Sequence, residues 1–150
     1  MLANLEPNRP RQSSLRRSIS ASYYALFHAL TYEWSRCFRA SVRPSARRML
    51  DHGKAKAAAQ RMGGSNSSLR HMTGSPSCPP LLASAANDFV VLQEFRHKAD
   101  YNFSMNFSRQ DSLQMHSRAE RSINGLISCR QACPCEMQAF LLEMQGVRVN

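Results

Sequence analysis

Acidic residues are scarce in this chain of 150 residues: ten Asp and Glu stand against twenty Lys and Arg. The ten are scattered, so no carboxylate pair suggests itself for two-metal phosphodiester chemistry. Walker, Gly-x-Gly-x-x-Gly and Gly-x-Ser-x-Gly motifs are absent, and Gly63-Gly64 alone is too little for a phosphate loop. No apolar run approaches the roughly 20 residues of a membrane span. The stretch Met1 to Pro10 has no apolar h-region of a secretory signal. A cytoplasmic protein without membrane contact is therefore expected. No run alternates apolar and polar residues convincingly, which argues against a sheet.

Cysteine supplies little framework. Cys37, Cys78, Cys129, Cys133 and Cys135 are odd in number and unevenly spaced, which speaks against a disulfide scaffold. In a reducing compartment they stay free thiols. Cys129, Cys133 and Cys135 lie close enough to suggest a metal. Zinc, however, favours paired ligands at repeated spacing, and a fourth, from His116 or Cys78, would have to be brought in by folding. No metal and no cofactor are expected.

What is abundant is arginine. Only Lys54, Lys56 and Lys98 among the twenty bases are lysines. The first 75 residues carry thirteen bases against three acids, whereas the remainder is balanced at seven of each. Between Arg36 and Arg61, eight bases face one acid, Asp51. Such a patch attracts polyanions, and the planar guanidinium fork suits phosphate. Arg43, Arg47, Arg48, Lys54 and Lys56 are the expected nucleic-acid contacts. The competing reading is an ordinary solvated face in an Arg-rich composition.

The apolar period is helical throughout. Residues 1–12 read as a loose arm and 13–146 as one domain. Leu15, Ile19, Tyr23, Leu26, Leu30, Trp34 and Cys37 recur at three and four, predicting a helix from Ser13 or Ser14 to about Phe38. On its other side Arg17, Tyr24, His28 and Thr31 form a polar, aromatic stripe, and Arg17, Tyr24 and His28 are read as a dimer or partner face. A second helix is expected over Ala46–His52, capped by Ser45, broken at Gly53 and resumed over Lys54–Met62. Residues 63–80 read as a loop. A third helix runs from Leu81 to about Ala99 through Leu82, Ala85, Phe89, Leu92 and Arg96. Ser108 with Asp111 resembles a capping box, opening a fourth helix, Arg109 to about Ser128, through Leu113, His116, Ala119, Ile123 and Leu126. Pro134 starts a fifth, stopped at Gly146. The fold class is all-α, a four- to five-helix up-and-down bundle.

The densest chemistry lies in Glu94-Phe95-Arg96-His97-Lys98-Ala99-Asp100-Tyr101. Arg96 and Asp100 are four apart on one helix face, as are His97 and Tyr101 if the helix reaches that far. A solvated last turn, with cations at the negative end of the helix dipole, is the plain reading. The functional one is metal-independent RNA chemistry, in which the ribose 2′-OH attacks, an imidazole or phenol moves the proton, and a guanidinium meets the phosphoryl charge.

Two segments together resemble the HEPN superfamily of small helical domains. One is Leu15 to Leu30, with its Tyr23-Tyr24-Ala25-Leu26-Phe27-His28 run. The other is Arg96-His97-Lys98-Ala99-Asp100-Tyr101. Asp51-His52-Gly53-Lys54-Ala55-Lys56 is similar to the segment after the first helix in one bacterial subgroup. The resemblance covers most of residues 13–145. It implies a bundle that often forms homodimers, that binds or cuts RNA, and that in some members acts as a toxin beside a small nucleotidyltransferase. The family's active motif is Arg, four to six residues, then His. Arg96 matches the Arg and His97 the polar residue after it, while the terminal position is Tyr101. The resemblance thus implies Arg96, His97, Tyr101 and Asp100 as the catalytic set, with Asp100 orienting Arg96. Two alternatives remain: a non-catalytic nucleotide- or RNA-binding module, and a bundle that pairs with another protein.

Overall fold

The computed structural model describes residues 11–62, 70, 72–75 and 77–146, and among these the regular structure is entirely helical. Helix α1 spans Gln12–Arg36, α2 Arg43–Arg47, α3 His52–Met62, α4 Pro80–Tyr101, α5 Arg109–Ala132 and α6 Pro134–Glu143, with a 3-10 turn at Ala40–Val42. The expected arm falls outside the described residues as far as residue 10.

Helices α1, α4 and α5 each pack on the other two, and α3 and α6 close the remaining side. Ser18 near the start of α1 meets Ser112 near the start of α5 through their hydroxyls, 2.8 Å apart. Glu33 near the end of α1 holds Arg130 near the end of α5. These two helices therefore run the same way. Arg16, early in α1, reaches the carbonyl of Ala99, late in α4, so α4 runs against them. The core is the predicted α1 stripe, Leu15 to Trp34, facing Leu82, Phe89 and Leu92 of α4, Met115 and Leu126 of α5, and Phe140 and Met144. Burying each large apolar side chain contributes about 1.5–3 kcal/mol before entropy is counted.

Several local expectations need correction. Helix α1 begins at Gln12, and its N-cap, Arg11, supplies no side-chain capping bond to the first turn. Gln12 is fixed instead from across the molecule: its amide donates to Phe107 O (2.8 Å) and accepts from Phe107 N (2.9 Å). The helix ends at Arg36, leaving Cys37 exposed outside the core stripe. The break in the second helical stretch falls before His52, not at Gly53. Asp51 receives the Lys54 N–H at 2.8 Å, and that N-terminal cap outweighs the weak helix preference of a single Gly. Pro44 lies within the first turn of α2 rather than before it. In the expected loop, Arg70, Met72 and Thr73 are helical, closed by Gly74 N–H on Arg70 O at 2.7 Å. On α5 the capping box forms as read, but Leu113 and His116 are exposed; Ser112, Met115 and Ser122 take the buried positions. Small serines fit a close helix–helix contact where Leu would not.

Three buried carboxylates tie helix to helix. Asp88 of α4 is wholly buried and accepts from Arg118 (2.7 Å), Arg121 (2.8 Å) and Ser122 (2.8 Å) of α5. Glu33 holds Arg130, and Glu143 of α6 holds Arg61 of α3 at 3.3 Å. Part of the arginine surplus is thus structural, including Arg61 from the expected basic patch. No helix among the described residues is long and apolar enough to cross a membrane.

Candidate functional site

The last turn of α4 lies against the first half of α1, and this antiparallel contact builds the site. Arg96 stands on the α4 core line, one turn beyond Leu92, so its stem is drawn inward while its head emerges at the edge of the core. Its Nη2 donates to the Tyr24 hydroxyl at 2.9 Å. Its Nε lies 2.8 Å from Asp100 Oδ2, an ion pair whose N–H is poorly aligned for a hydrogen bond. Asp100 is held in turn by Ser20, whose Oγ donates to Oδ1 at 2.5 Å. The guanidinium carbon sits 5.4, 5.6 and 5.9 Å from the ring centres of Tyr24, Tyr23 and Tyr101. The cation is thus placed by a carboxylate, a phenol and three ring faces. Burial alone would lower its basicity; Tyr24 and Asp100 outweigh that and hold it above the ordinary guanidinium range.

Helix α4 does reach Tyr101. The His97 and Tyr101 rings lie 5.0 Å apart, both exposed. His97 lines an open groove of about 220 Å³ with Lys56, Gln93, Glu94, Arg96 and Lys98. Lys56 pairs with Glu94 across it at 3.7 Å. Of the five expected nucleic-acid contacts, only Lys56 joins this groove. Lys54 is exposed, its stem passing near Gly146. Arg43 donates to Phe38 O at 3.1 Å, and Arg47 donates to Ser35 Oγ at 3.2 Å while lying 5.4 Å over the Tyr32 ring. Arg48 is exposed.

The stripe Arg17, Tyr24, His28 and Thr31 is divided. Thr31 is buried, Arg17 and His28 are exposed, and Tyr24 belongs to the Arg96 site. Tyr32, one turn beyond His28, continues the exposed line.

Four contributors were not singled out from sequence. Ser20 positions Asp100. Tyr23, read only as core, supplies a ring beneath Arg96 and a hydroxyl to His52. His52 stacks on Phe27 with centroids 3.9 Å apart. Arg16 donates to the carbonyls of Ala99 (2.8 Å), Asn102 (3.0 Å) and Met105, closing the end of α4, and faces the rings of Phe103 and Phe107. All four fall within the segments that carry the family resemblance, and that was their one available signal.

The cysteines do not converge as a trio. Cys129 and Cys133 are buried and Cys135 is exposed. Burial, then Cys133 and Cys78, push the Cys129 thiol up to about 12; burial likewise pushes Cys78 to about 11. These are protonated, unreactive thiols at neutral pH. No cluster of His, Cys, Asp and Glu suited to a metal occurs among the described residues.

Comparison with known families finds no matching family model, and comparison with curated proteins and with solved structures finds no significant match.

Proposed function

We propose that this chain is a HEPN-like RNA-binding domain that takes single-stranded RNA along α1. One observation carries the reading. Tyr24, His28 and Tyr32 succeed one another at intervals of four, with Arg96 5.4 Å from the Tyr24 ring at one end and Arg47 5.4 Å from the Tyr32 ring at the other. Eight residues of helix make this track about 12 Å long. A row of rings with a cation at each end suits bases and phosphates together, whatever the sequence. On this reading the helices form the family's up-and-down bundle of four to five. The partners are RNA, a second copy of the chain and a small nucleotidyltransferase, and the setting is the cytoplasm.

Binding is better supported than cutting. The position at which the family's chemistry needs His is Tyr101, and a phenol is a poorer general base than an imidazole at neutral pH. Metal-independent cleavage is the second reading, favoured by the adjacency of His97, Tyr101 and Arg96. Incubation of purified protein with labelled tRNA in EDTA, beside Arg96→Ala, tests both. A retarded, intact tRNA and weaker retardation by the variant are expected. Cleavage that survives chelation and vanishes in Arg96→Ala would replace binding with catalysis. Absence of retardation at low salt would sink the RNA reading.

A further inference from the structure

His52 opens α3, with Nδ1 2.5 Å from the Tyr23 hydroxyl. Tyr23 is completely buried, and Nδ1 is the only acceptor its hydroxyl meets among the described residues. A buried hydroxyl with one acceptor in reach donates to it. Tyr23 therefore donates to Nδ1, and the proton of the neutral ring sits on Nε2. That nitrogen has no hydrogen-bond partner among the described residues and is not sealed from solvent.

The same two tyrosines join this ring to Arg96. Tyr23 lies 5.6 Å from the guanidinium and 5.8 Å from the imidazole, and Tyr24 lies 5.4 and 6.4 Å from them. Lys56 follows His52 one turn along α3 and lines the groove that Arg96 borders. The charged and titratable groups around the ring are Tyr23, Tyr24 and His28 of α1, Asp51 beside it and Arg96 of α4. A second positive charge here would repel Arg96, whereas a neutral N–H would not. An imidazole donor beside a guanidinium fits an oxyanion: the guanidinium meets its charge and the imidazole adds one directed bond.

We infer that His52 is the second anion-contacting side chain of this site, its Nε2–H donating to a phosphate oxygen of the bound strand next to Arg96. This rests on the RNA reading above. It also makes His52 a poor base toward a 2′-OH, because the outward nitrogen already carries the proton.

Proton–nitrogen correlation spectra of protein labelled with nitrogen-15 histidine test the assignment. Near neutral pH, His52 should be the neutral tautomer with the proton on Nε2, and this resonance should shift on addition of a single-stranded RNA oligomer. His52→Gln, whose amide nitrogen can take the Nε2 place, should keep affinity within about threefold, and His52→Phe should lose about tenfold. If His52→Phe fails to fold, the wild-type spectra decide. A ring protonated on Nδ1, or a His52 resonance that ignores an RNA which the protein demonstrably binds, overturns the inference and leaves RNA binding intact. Should the wild type bind no RNA by retardation, the RNA reading falls first and the inference with it.

Discussion

Arg96 and Tyr24 stand 72 residues apart in sequence and are joined by a hydrogen bond of 2.9 Å from guanidinium to phenol. Removing only the hydroxyl, in Tyr24→Phe, keeps the ring beneath the cation and deletes its acceptor. A bond of this kind to a charged group is worth about 1.5–3 kcal/mol, less here because Tyr24 is only half-buried. The expected outcome is a loss of about 1 kcal/mol in urea unfolding, with weaker RNA retardation. An unchanged midpoint would mean that the bond is not held in solution.

Asp88 predicts an asymmetry. Its side chain is 1% exposed, whereas those of Arg118 and Arg121 are 36% and 61% exposed. Asp88→Ala leaves two arginines that can return to water. Arg118→Ala with Arg121→Ala instead strands a buried carboxylate on Ser122 alone. The double arginine variant should therefore be the less stable, by up to about 3–5 kcal/mol relative to wild type. Urea unfolding of both variants checks this, and the reverse order would refute the account.

Arg16 closes the end of α4 on the carbonyls of Ala99, Asn102 and Met105. Arg16→Ala removes this donor from Ala99 O and Met105 O, leaves Asn102 O with only the Met105 N–H at 3.4 Å, and should cost about 1.5–3 kcal/mol. Amide exchange should quicken over residues 102–107, which the guanidinium holds from beneath. Uniform quickening across the whole chain, with no local excess, would count against a local role.

The placing of His52, part-buried and near Arg96, should make stability fall in mild acid. Burial first, then Arg96, lower the His52 pKa below 6.5, with Asp51 opposing and His28 adding a little. The unfolded chain then binds the extra proton, so this stabilisation is whole above the unfolded pKa of 6.5 and is lost as pH falls through the lower folded value. The urea midpoint should drop between about pH 7 and pH 5, and drop less in His52→Gln. Parallel profiles for the two proteins would remove His52 as the cause.

Periodicity alone determined that the regular structure of the described residues is helical, because recurrence at three and four is a local property of each segment. The capping box at Ser108 and Asp111, the α1 stripe from Leu15 to Trp34, the helix start at Pro134 and the Arg96–Asp100 neighbourhood could all be read in this way. Helix ends were less legible. Gln12 is fixed by Phe107, and Asp51 caps α3 although Gly53 looks like the break. Only the tertiary structure decided that Tyr24 meets Arg96, that Ser20 holds Asp100, and that Tyr23 reaches His52. It also decided which arginines are structural: Arg61, Arg118, Arg121 and Arg130 are bound by carboxylates, while Arg48 remains exposed. The physical reason is one of range. A helix is specified by neighbours three and four residues away, whereas a guanidinium finds its partner only after antiparallel packing has brought the end of α4 against the first half of α1.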